Sequence, residues 1–166
     1  MLIKQNFDEL LHKVEEMKRS GSVDLSTEED LSLAIMNLIS LEEHFYFTGL
    51  KTKKRDYFDL LNEVRSMRKE LLAKMMPENE GETWCIAKHL LATTMRLMEV
   101  GTKLYSDGKT VEAGEMYARG YKMYSTFWAL RLKLIDTAGF KKIATQDGPW
   151  TYQDIVEKLV DCCDEK

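Results

Sequence analysis

The residues best placed to do chemistry in this sequence are charges set into apolar rows. On a helix read over 27–49, Leu31, Ile35, Leu38, Phe45 and Gly49 recur at helical spacing, and Glu42 falls at the centre of their row. On a helix read over 56–76 the row is Tyr57, Leu61, Val64, Leu71 and Met75, with Arg68 at its centre; Arg131 is centred in the same way on a helix over 110–136. A charge that faces a core needs a partner or water, because leaving it unpaired is costly. If the helices run antiparallel, Glu42 and Arg68 stand about 7 Å apart in level. Helical side chains tilt toward their own N-terminus, which brings the two heads together, with Arg65 as an alternative partner.

Two outcomes follow. The groups close on each other as a structural ion pair, or they frame a polar pocket with Tyr121, Tyr124 and Trp128 of the helix over 110–136. In the pocket, Glu42 has the chemistry of a general base. For Arg131, near a helix end, a structural pair or a head reaching water fits better.

Other chemistries lack their residues. A di-iron bundle needs Glu on two helices and Glu-x-x-His on two more; Glu42-Glu43-His44 has the wrong spacing. Cys85 and His89 share a helix face and supply two zinc ligands at most, while Cys162 and Cys163 diverge by about 100° on a helix. A small cysteine beside an exposed histidine is the simpler reading. None of His12, His44 or His89 has an arginine in the seven preceding positions, which removes the Arg–His pair of toxin-type helical ribonucleases. There is no phosphate-binding glycine loop, no Gly-x-Ser-x-Gly and no His-Glu-x-x-His. No metal or cofactor is expected.

The elements that must position these residues are legible from their ends. Asn6 with Glu9, Ser26 with Glu29, Asp56 with Asp59, and Thr151 with Asp154 each place a capping oxygen three residues before a carboxylate. Gly21, Gly49, Pro77 and Asp107-Gly108 read as stops. Helices are therefore expected over 7–19, 27–49, 56–76, 82–106, 110–136 and 151–164, with a loop over 137–150 and no strands. Short turns between long helices make them antiparallel neighbours. The expectation is an all-α single domain over 1–166, an antiparallel four-helix bundle core flanked by the shorter first and last helices.

Helix 82–106 is apolar nearly all round, from Trp84, Ile86, Leu90 and Leu91 to Met98, Val100 and Leu104. That breadth suits a central helix or one that also meets a second subunit. Leu97, Gly101, Gly108, Ala113, Tyr117 and Gly120 resemble one tetratricopeptide hairpin, with small residues where two helices cross. The resemblance covers about thirty residues, lacks the family's closing proline and has no second copy. A lone hairpin lacks the stacked surface those repeats use to bind peptides, so the resemblance implies close packing of these two helices and no more.

Composition narrows the function classes. The chain is 44% hydrophobic and 31% charged, the balance of a folded globular protein. Its net charge of −4 argues against a general nucleic-acid binder, and the basic run Lys51, Lys53, Lys54, Arg55 reads as a solvated turn. Three cysteines without Cys-x-x-Cys spacing suit a reducing, cytoplasmic setting, and no apolar run approaches a membrane span or signal peptide. Ten methionines read as core filler. The reading is a non-enzymatic interaction or scaffold protein that binds itself, as a homodimer, or another protein. The alternative is a small-molecule-binding bundle built on Glu42, Arg68, Tyr121, Tyr124 and Trp128; a further one is an enzyme with Glu42 as general base.

Overall fold

A computed structural model describes residues 12, 15–17, 19–21, 25–77 and 82–134. Four long helices account for most of them: α1 (Leu25–Thr52), α2 (Asp56–Met75), α3 (Thr83–Ser106) and α4 (Thr110–Arg131). Residues 12, 15–17, 19 and 20 are also helical, and no strand occurs among the described residues. The expected helix over 151–164 and loop over 137–150 lie outside them.

Helix ends follow backbone chemistry more closely than the sequence signals. Gly49 is not a stop. It lies inside α1 and is buried, and a Cβ there would sit 2.9 Å from Cε1 of Phe58, so the missing side chain is what lets α2 approach. The chain reverses at Lys53, a non-glycine residue with φ of 58°. Ser26 is not a cap either, because α1 already begins at Leu25. Asp56 is the first residue of α2, behind an Arg55 that makes no side-chain cap bond; with Asp59 it places negative charge at the positive end of the helix.

Two helices close with the same hydrogen-bond pattern. After α3, Gly108 N–H donates to the Tyr105 carbonyl at 3.1 Å and Lys109 N–H to Leu104 at 2.9 Å, a Schellman motif with Gly108 at φ 77°. After α4, Lys133 N–H donates to Leu130 at 3.0 Å and Leu134 N–H to Ala129 at 2.9 Å. The left-handed residue is now Lys133, at φ 55°, and this motif ends α4 at Arg131 where the apolar pattern ran on to 136.

The helices form two tight antiparallel hairpins, α1–α2 and α3–α4, joined chiefly where α1 packs on α3. Glycine sets the closeness of the second hairpin as well: a Cβ on Gly101 would lie 2.6 Å from the Tyr117 ring, and Gly120 meets Leu97 and the Thr94 carbonyl. Buried residues concentrate at the end away from the two turns. Ile35, Met36 and Ile39 of α1 pack there with Leu72 and Met75 of α2, Leu90 and Leu91 of α3, and Phe127, Trp128 and Leu130 of α4. Met36, Met75 and Met76 fill this core, whereas Met67 and Met98 are exposed, and Trp84 is anchored by its Nε1–H donating to the Met76 carbonyl at 2.9 Å.

Candidate functional site

Glu42 and Arg68 meet. Arg68 Nε donates to Glu42 Oε1 at 2.6 Å and Nη2 to Oε2 at 3.2 Å, a two-pronged pair across the α1–α2 crossing. The side chains are 6% and 14% exposed. Both helix rows deliver these charges inward, and the two-pronged geometry uses both carboxylate oxygens. Arg65, the alternative partner, is exposed.

Tyr124 and Trp128, expected around this pair, sit elsewhere. Tyr124 shares a 2.7 Å hydrogen bond with Ser32, ten residues before Glu42 on α1 and so about 15 Å from it along the helix. Trp128 is fully buried one turn beyond Tyr124, its ring edge-on at 6.2 Å. Tyr121 is half-buried one turn before. The structure thus brings together Glu42 with Arg68, and Tyr124 with Trp128, as two places.

The second place is a polar ribbon between the start of α1 and the end of α4. Arg131 Nη2 donates to Glu28 Oε1 at 2.8 Å, the structural pairing expected for Arg131. Four buried side-chain atoms on α1 and α4 have no hydrogen-bond partner among the described residues: Glu28 Oε2, Ser125 Oγ, Trp128 Nε1 and Arg131 Nε. Ser125, Trp128 and Arg131 recur every three residues along α4, a row that winds about 120° round the helix. Such groups ordinarily satisfy themselves with protein or water. Ser32, Ser125 and Glu28 escaped the sequence reading, the serines because a small polar residue in an apolar row is unremarkable and Glu28 because it stands in the acidic first turn of α1.

A third feature lies at the turn end. Ser32, Met36, Ile39, Glu43, Tyr46 and Leu50 form one unbroken row on α1, spaced alternately four and three apart. Its start is core, with Ser32 at 0%, Met36 at 3% and Ile39 at 8% exposure; its end is bare, with Tyr46 at 47% and Leu50 at 53%. On α3, Ala87 and Leu91 are fully buried while Met98 is 44% exposed and Tyr105 61%, with Gly101 between them buried against Tyr117. The change falls where Arg96 bridges the hairpins, to Glu43 at 3.6 Å and to Ser40 at 3.1 Å. Beyond it each hairpin stays closed on itself, through Gly49 with Phe58 and Gly101 with Tyr117. At that end Tyr46 and Leu50 of α1 and Met98 and Tyr105 of α3 are left exposed.

Other candidates gather no chemistry. Cys85 and His89 are both exposed, and His44 is exposed on α1. His12 follows Glu9 by three residues, the one Glu-x-x-His in the chain, but Glu9 lies outside the described residues. No group of three or more His, Cys, Asp or Glu placed to hold a metal occurs among the described residues. No helix there is long and apolar enough to cross a membrane. The chain matches no family description, no curated protein and no solved structure.

Proposed function

We propose that this chain is a non-enzymatic protein-interaction module that engages its partner at the turn end of the two hairpins. The observation behind this reading is the switch within single helical rows: the positions that build the core on one side of Arg96–Glu43 carry exposed Tyr46, Leu50, Met98 and Tyr105 on the other. Scattered exposed apolar residues need no explanation, but a set gathered at the same end of both hairpins suits an interaction site. Phe47, 55% exposed and edge-on to Tyr46 at 5.2 Å, enlarges it. Selection of peptides on the full chain from an unbiased display library tests this. Recovered binders should compete with one another and lose binding to Phe47→Ser/Leu50→Ser, a variant that melts like the parent. Binders indifferent to that variant would place recognition elsewhere and end the proposal.

A second reading has its own observation. The unpartnered Trp128 indole, Ser125 hydroxyl, Arg131 Nε and Glu28 Oε2 suit a small polar molecule held between α1 and α4. Ordered water would satisfy the same atoms. Native mass spectrometry of gently purified protein separates the two: a retained organic mass lost on Trp128→Phe supports the ligand, and the bare chain mass supports water. Glu42 as a general base has no comparable support, since both its oxygens are engaged by Arg68.

A further inference from the structure

We draw no further inference here: the strongest candidate, the set of exposed apolar side chains at the turn end of the hairpins (Tyr46, Phe47 and Leu50 of α1 with Met98 and Tyr105 of α3), belongs to the surface already described, and nothing in the structure shows what covers it.

Discussion

Arg68 grips Glu42 with two nitrogens, Nε at 2.6 Å and Nη2 at 3.2 Å, and does so almost out of reach of water. The pair joins α1 to α2 at the middle of their crossing. Removing one partner strands the other's charge in a low-dielectric setting, so Arg68→Met or Glu42→Gln should each cost about 3–5 kcal/mol. Replacing both with apolar residues of similar volume should return most of that loss. Urea melts of the two single variants and the double give the answer, with exposed Arg65→Ala as a near-neutral control. Additive losses in the double would mean the side chains do not depend on each other.

Glycine at the hairpin crossing makes a second prediction. Gly101→Ala pushes a methyl into the Tyr117 ring and should destabilise by about 1–3 kcal/mol. In a Tyr117→Ala background the same change should turn favourable, since alanine is the better helix former by about 1 kcal/mol. Gly114→Ala, with nothing within 4 Å of the added carbon, should be favourable in the parent chain as well. Thermal melts check all three, and a favourable Gly101→Ala in the parent would contradict the packing.

The unpartnered Ser125 hydroxyl yields a third. If nothing satisfies it, Ser125→Ala removes a buried group that has lost its hydration, and stability should rise by about 1 kcal/mol. A clear loss of stability instead would show that water or a ligand bonds to that hydroxyl.

Local stability should follow the division of the rows. Ile35→Ala, in the core, should cost about 2–5 kcal/mol, whereas Leu50→Ser, at the turn end, should stay within about 0.5 kcal/mol. Native-state hydrogen exchange should find the amides of 32–39 and 125–130 slowest and those of 46–52 and 102–118 faster. Equal protection along α1 would contradict that division.

The sequence by itself determined the four long helices to within a few residues of their ends, since a row of apolar residues at helical spacing is a local property. It also determined that Glu42 and Arg68 face inward, because helical periodicity sets the direction of a side chain. Gly108 announced the end of α3, as glycine adopts the left-handed turn at no steric cost. Lys133 did not announce the end of α4: a lysine held at positive φ is imposed by the surrounding hydrogen bonds, so the apolar pattern appeared to run on. Gly49 misled for the opposite reason, because a glycine that admits Phe58 and a glycine that ends a helix are the same letter. Only the tertiary structure decided which half of each row is buried. Met36 and Leu50 belong to one stripe, yet Met36 is buried and Leu50 exposed, because burial depends on what packs over each position and not on the stripe itself.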